Sequence, residues 1–255
     1  MHFIFNNVEI EDTFAEGFSM WGSRIIITAS NTKWANTAAS TMSGYATSVI
    51  ACDCEAAVER EIVPEVTPDG RPGVAVMIFG FSKGKLSESM LNRIGQCVLT
   101  CPSTAVFNGL KKEETEDWLD IGKSLRFFGD GYQNKLRLND GWGERNRFWR
   151  IPVMEGEFLA EEKIGAKKGV AGGNFLIMGS NESSTLIAAE KAIDAIHEVP
   201  KVITPFPGGL CRSGSKVGSK YPFLKASTNT HRNRNSSTIN WFGNRFRLNL
   251  WTKKC

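Results

Sequence analysis

One local pattern occurs twice in this chain and limits the folds open to it: a short strand, a Ser-Asn pair, then a helix with a narrow apolar face. In the first copy, Arg24-Ile25-Ile26-Ile27-Thr28-Ala29 reads as a strand because its β-branched run suits a pleated surface. Ser30-Asn31 follows, with Asn31 placed to cap a helix on which Ala35, Ala38, Met42 and Tyr45 share a face. Thr47-Ser48-Val49-Ile50-Ala51 reads as the returning strand. In the second copy the strand is Asn174-Phe175-Leu176-Ile177-Met178, the cap is Ser180-Asn181, and Leu186, Ala189, Ile193 and Ile196 repeat the same face spacing. Lys201-Val202-Ile203-Thr204 closes that unit as a strand. Two β-α-β units with matching helix faces predict two similar lobes.

The first lobe extends the pattern. Val74-Ala75-Val76-Met77-Ile78-Phe79 reads as a buried strand, and Leu86, Met90, Leu91, Ile94 and Val98 line one face of a following helix. The order β-α-β-β-α is the split β-α-β arrangement. The expected fold class is therefore α+β, with two ferredoxin-like α/β sandwich lobes of which the second is incomplete. The lobes are expected at residues 1–150 and 151–229, followed by a divergent basic tail at 230–255. After Gly209 no strand-helix pair is recognisable. Residues 230–237 have the polar composition of disorder, and Phe246, Leu248 and Leu250 alternate with Arg245, Arg247 and Asn249 as a single strand.

The net charge of +4 is unevenly placed. Residues 230–255 hold six Arg or Lys and no carboxylate, which leaves 25 basic and 27 acidic residues in the main body. A body of that balance excludes a uniformly basic nucleic-acid binder. No run of eighteen apolar residues occurs, so no membrane helix is expected. Met1-His2-Phe3-Ile4-Phe5 lacks the basic and small-residue parts of a signal peptide, and a cytoplasmic location is expected. The cysteines at 52, 54, 97, 101, 211 and 255 have neither zinc nor redox spacing and read as free thiols, with no metal site.

Three glycine-aromatic segments carry the candidate site. They are Leu125 through Gln133, Gly169 through Phe175, and Pro205 through Gly209. Glycine removes the Cβ that would keep a backbone away from a flat, extended ligand, although each segment also reads as a tight turn. The candidate substrate-binding residues of the first segment are Phe128, Gly129, Gly131, Tyr132 and Gln133. Those of the second are Gly172, Gly173 and Asn174, and those of the third are Phe206, Gly208 and Gly209. Asp130, between two glycines and beside aromatics, is the candidate catalytic carboxylate, because an apolar setting raises a carboxyl pKa toward proton-transfer duty. It also reads as a residue that stabilises its own turn. Glu155 and Glu157 are weaker candidates. Gly214 through Lys220 lacks the spacing of a phosphate loop, but Lys216 and Lys220 among small residues suit an anionic ligand tail, or a solvated loop. Dinucleotide and nucleophile-elbow motifs are absent.

These segments, in this order, resemble the formylmethanofuran:tetrahydromethanopterin formyltransferases. The resemblance also takes in residues 8–16, Thr67-Pro68-Asp69-Gly70-Arg71-Pro72-Gly73-Val74, Arg93-Ile94-Gly95-Gln96-Cys97-Val98, Ser215 through Lys220, and Ala226-Ser227-Thr228-Asn229. It implies formyl transfer from formylmethanofuran to N5 of tetrahydromethanopterin in one-carbon metabolism, a homotetramer and no tightly bound cofactor. It stops at Asn229. Family members continue with a strand bearing an acidic residue implicated in catalysis, whereas this tail has no Asp or Glu. The expectation is impaired transfer with Asp130 as the substitute proton donor, or, in the other reading, a non-catalytic paralogue that keeps ligand binding or subunit assembly.

Overall fold

A computed structural model of the chain describes residues 2–11, 17–139, 145–212 and 246–254. A hairpin of β1 (His2–Phe5) and β2 (Val8–Glu11) stands apart from the main sheet. The first lobe follows as β3 (Gly17–Thr28), α1 (Thr32–Ser43), β4 (Glu55–Ile62), β5 (Gly73–Gly80), α2 (Lys83–Arg93) and β6 (Ala105–Asn108). Next come β7 (Asp117–Leu119), the short α3 (Ile121–Leu125), and a meander of β8 (Asn134–Asn139), β9 (Arg145–Val153) and β10 (Gly156–Glu161). The second lobe holds β11 (Ile164–Gly179), α4 (Glu182–His197), β12 (Val202–Ile203), β13 (Leu210–Arg212) and β14 (Phe246–Lys254).

The first lobe is a split β-α-β unit. Its strands lie in the order β4-β5-β3-β6, each antiparallel to its neighbour. The second lobe repeats the first three positions as β12-β14-β11. β12 and β13 are one strand interrupted by residues 204–209, since both pair with β14, at Ile203↔Lys253 and again at Leu210↔Leu250. The alternating pattern at 246–250 is therefore an inner strand of the second lobe. β7 pairs with β11 at 164–166 on the β14 side, and the edge of β11 facing away from β14 pairs with β3 at 166–172. Beyond Gly172 no described strand covers that edge, where the first lobe carries its fourth strand.

Both helix starts obey the repeated Ser-Asn signal. Asn31 and Asn181 are N-caps in extended conformation, with (φ, ψ) of (−154, 165) and (−148, 167). Their Oδ1 atoms accept from Trp34 N at 3.2 Å and Ser184 N at 2.9 Å. Three sequence expectations are displaced. Residues 47–51 form a turn, and the returning strand is β4, whose Glu59, Arg60 and Glu61 hid it from an apolar reading. Tyr45 lies past the helix end with φ 55 and is exposed. On α4 the buried line is Thr185, Ala189 and Ile193, while Leu186 turns outward.

Alternation along β3 and β5 feeds two sides of the sheet. Ile25, Ile27, Val74, Val76 and Ile78 join the core under α1 and α2. Ile26, Ala75, Phe107 and Phe148 form a second cluster, with Phe107 and Phe148 edge to face at 5.9 Å. Met20, Met77, Phe79, Ala171 and Ile203 form a third that joins the lobes.

An ion pair also joins them. β4 bulges between Val58 and Arg60, which leaves Glu59 out of the ladder. Its carboxylate meets Arg24 Nε at 2.5 Å, with side-chain exposures of 5% and 8%. Arg24 also donates to Gly109 O at 3.0 Å, and Glu59 Oε1 accepts Lys201 N–H from the second lobe at 3.0 Å. Every formal charge in this pair has further partners, so removing one member strands the other.

Two predictions follow from this packing. Glu59→Gln or Arg24→Met alone should lose about 3–5 kcal/mol in urea denaturation, and Arg24→Met with Glu59→Leu should recover most of it. Independent additive losses would contradict the coupling. The second concerns Arg93, which donates to Met42 O at 2.5 Å and Gly44 O at 2.9 Å behind α1 while holding Asp53 bidentately at 2.6 and 3.0 Å. The Arg93 hydrogen bond lowers the Asp53 carboxyl to about 2. A depressed carboxyl stabilises the folded state above its unfolded pKa and loses that contribution as pH falls through the folded one. Stability should therefore drop between about pH 4 and pH 2, and Arg93→Met should flatten that limb in acid titrations.

Candidate functional site

The first glycine segment is built by three supports. α3 packs so closely on the end of β10 that a Cβ at Gly122 would stand 2.1 Å from Glu161 O. From α3 a single 3-10 turn, Arg126–Gly129, crosses β9. At its start the Arg126 guanidinium lies 4.3 Å from the Phe127 ring and 5.2 Å from Trp149. At its end a Cβ on buried Gly129 would meet Gln133 Oε1 at 2.8 Å and Pro152 Cδ at 3.2 Å. Between them Phe128 rests against Gly95, whose Cβ position is 3.5 Å from the Phe128 ring. Gly95 sits in a π turn, Ile94–Val98, closed by Leu99 N–H donating to Ile94 O at 2.9 Å.

The turn then reverses into β8. Asp130 adopts the left-handed conformation at φ 48, and Gly131 follows at φ 95. Asp130 N–H donates to Phe127 O at 3.2 Å, Tyr132 N–H to Gly129 O at 2.8 Å, and Gly131 N–H to Gln133 Oε1 at 2.9 Å. These backbone donors are already satisfied within the turn. The Gln133 Nε2 group makes no hydrogen bond among the described residues, so it is the turn's available donor. Asp130 is exposed, as are Phe127, Phe128 and Tyr132. The apolar burial assumed from sequence is missing, because the neighbouring rings face solvent rather than cover the carboxylate.

The other two segments are elsewhere. Gly169 through Phe175 is not a loop but part of β11, where Gly172 and Gly173, at φ 91 and 95, form the bulge that breaks the register with β14 before Asn174. β11 lies four strand positions from β9, roughly 19 Å along the sheet. Pro205 through Gly209 is the excursion between β12 and β13. Gly208 has φ 60, and Gly209, at φ 76, donates to Phe206 O at 2.8 Å while a Cβ there would strike Ile193 Cδ1 at 2.4 Å. A single chain thus does not gather the three segments along its sheet. Lys216 and Lys220 lie outside the described residues. Glu155 and Glu157 flank the β9–β10 hairpin, bonded to Ser103 N–H and to Arg150.

Two concavities lie away from Asp130. One, of about 420 Å³, takes Gly169 and Val170 together with Phe18 and Lys168. The other, of about 330 Å³, lies beside Cys52 and Asp53. Burial pushes the Cys52 thiol up, but hydrogen bonding at Ser48 and Thr47 outweighs it and lowers the pKa, whereas burial carries Cys54 to about 12. Sequence reading missed the parts played by Gly95, Trp149 and Pro152, because only the π turn and the strand register bring them to the Phe128 segment.

The support under the turn is testable. Gly122→Ala forces a shift against backbone, so we expect a destabilisation of about 1–3 kcal/mol by thermal or urea unfolding. The altered protein should show near-ultraviolet circular dichroism changed by the moved Trp149 and Phe128. An unperturbed spectrum and stability would contradict the packing.

Comparison with known proteins extends over most of the chain. The formylmethanofuran-tetrahydromethanopterin formyltransferase family model matches residues 3–153, and a second model, described as the FTR proximal lobe, matches 156–238. The formylmethanofuran--tetrahydromethanopterin formyltransferase of Methylobacillus flagellatus is 54% identical over 227 residues, covering 89% of this chain and 74% of that protein. That of Methanocaldococcus jannaschii is 51% identical over 227 residues, covering 88% and 73%. The solved enzyme from Methanosarcina barkeri matches with a TM-score of 0.86 at 46% identity, over 99% of this chain and 84% of that one. A chain of the formyltransferase/hydrolase complex from Methylorubrum extorquens, solved with methylofuran, matches at 0.90 and 43%, over 100% and 83%. This chain belongs to the formylmethanofuran–tetrahydromethanopterin formyltransferase family.

Proposed function

We propose that this enzyme transfers a formyl group from formylmethanofuran to N5 of tetrahydromethanopterin, with the Asp130–Gln133 turn at the reacting atoms. The observation that carries the placement is the Gly131 N–H bond to Gln133 Oε1, which fixes the side-chain amide and leaves its Nε2 hydrogens for a developing oxyanion. In the reaction N5 attacks the formamide carbon and the carbonyl oxygen takes the electron pair. Asp130 accepts the proton from N5. The oxyanion then collapses, the bond to the methanofuran nitrogen breaks, and the same proton passes from Asp130 to that nitrogen. One carboxylate suffices, and no proton is gained or lost overall.

Asp130 is exposed and β14 carries no Asp or Glu, so transfer is expected to be slower than in a relative with a further acidic residue at the site. The same reading makes the protein a cytoplasmic acyltransferase of one-carbon metabolism that uses no tightly bound cofactor. It assembles as a homotetramer of two-lobed chains; the boundary expected at 150 falls inside β9, and the segment expected as a tail supplies β14 to the second lobe. Exposed apolar residues on the β1–β2 hairpin (Phe3, Ile4, Phe5) and on the second lobe (Phe175, Leu186, Ile187) are surfaces an oligomer would cover.

The test is formyl transfer by the purified chain with both coenzymes. Asp130→Asn should lower kcat by about 10²-fold or more, and Gln133→Leu by a similar factor, with folding intact by circular dichroism. Unchanged turnover in Asp130→Asn would move the proton relay to another residue. A folded, assembled chain that binds a coenzyme but transfers nothing would establish the non-catalytic paralogue instead.

A further inference from the structure

The outer strand pair β8–β9 presents an unusual face beside this turn. Its register sets Lys135 opposite Trp149 and Arg137 opposite Arg147. Directly opposed residues of an antiparallel pair share a face, so all four side chains stand together. Arg126 reaches the same face from the crossing turn. The Trp149 ring lies near two cations, with Arg126 Cζ at 5.2 Å and Lys135 Nζ at 5.0 Å from its centroid. Lys135, Arg137 and Arg147 are exposed.

This face is poorly neutralised. Among the described residues its one carboxylate partner is Glu162, 8% exposed, with Arg147 Nε at 3.0 Å and Lys135 Nζ at 3.4 Å. Arg126 donates to a backbone carbonyl, Lys123 O. The Arg137 side chain has no ion pair or hydrogen bond among the described residues. Two guanidinium groups directly opposite one another on a ladder are destabilising without a counter-charge. Basic residues on the last strand of a sheet do guard it against edge pairing, which accounts for Lys135 and Arg137 on β8. That role does not explain Arg147 and Arg126, which lie inside the edge, or the two cations gathered at the Trp149 ring.

We propose that this face binds the multiply anionic tail, carboxylate or phosphate, of a coenzyme whose reacting end lies at the Asp130–Gln133 turn. The inference rests on the formyl-transfer reading above. The turn runs directly into β8, so a ligand extending from Gln133 along the strand meets Lys135 and then the Arg137–Arg147 pair. The two guanidinium groups donate as forks to paired oxygens, Lys135 adds a point charge, and Trp149 supplies a flat apolar wall for the linker between charges.

Two arms test it. In the first, formyl transfer is measured for Arg137→Gln and for Arg137→Gln/Arg147→Gln, varying each coenzyme in turn at low and high potassium chloride. The KM for the coenzyme seated here should rise about tenfold and then about a hundredfold, with kcat within about twofold. The wild-type KM should climb with salt more steeply than that of the double variant. The coenzyme whose KM moves identifies the source of the tail. Unchanged KM for both, or a fall in kcat alone, overturns the proposal.

The second arm does not need turnover. Inorganic tripolyphosphate should raise the Tm of the wild-type protein and fail to raise that of the double variant. Lys33→Gln/Lys191→Gln, which removes the same charge from exposed positions elsewhere, should keep the wild-type response. An equal loss in that control overturns a specific site. A protein that binds tripolyphosphate here but transfers no formyl group keeps the anion site and rejects the reaction.

Discussion

The antiparallel pairing of β3 with β11, from Ser23↔Ala166 to Gly17↔Gly172, holds the two lobes in one sheet. Each lobe is a β-α-β-β unit whose first strand needs a neighbour on its outer side. The first lobe supplies β6 beside the C-terminal part of β3, at residues 25–28. That leaves the N-terminal part of the same strand free to pair with the first strand of the second lobe. β3 therefore serves both units, which is why it is twelve residues long and β11 sixteen. The Met20–Phe79–Ala171–Ile203 cluster and the Arg24–Glu59–Lys201 contacts lock the junction from either side.

This arrangement also positions the site. Once β3 is shared, β10 must pair on the far side of β6, and the meander carries β9 and β8 to the end of the sheet. The 3-10 turn crosses β9 from Trp149 to Pro152 and delivers Asp130 and Gln133 to an open rim. The turn's backbone donors are consumed by its own geometry, so its chemistry falls to two side chains, one carboxylate and one amide. The basic face of β8–β9 continues from that rim, which makes the reacting end and the charged strand pair a single surface rather than two.

Much of the fold was legible because it is local. Asn31 and Asn181 announce both helix starts through a cap that depends on three residues, and the alternation at 246–250 marks a strand wherever it pairs. The returning strand of the first lobe was not legible. β4 is rich in charge because a bulge turns Glu59 inward to a cation from another strand, a partnership with no local signal. Val49 and Ile50, by contrast, are apolar in a turn. Gly172 and Gly173 were misread as a loop because glycines at positive φ mark bulges as readily as turns. The Asp130 turn itself was legible from its glycines, but its supports at Gly95, Trp149 and Pro152 come from two distant elements, the π turn and β9, which only the folded chain brings beside it.

The most direct test is a crystal structure of the chain with the formyl donor bound. The account predicts the formamide beside Gln133 and Asp130, with the remainder of the molecule lying along the turn or the β8–β9 face. A formamide in the concavity formed by Phe18 and Lys168, or in the one beside Cys52, with the Asp130 turn empty, would contradict it.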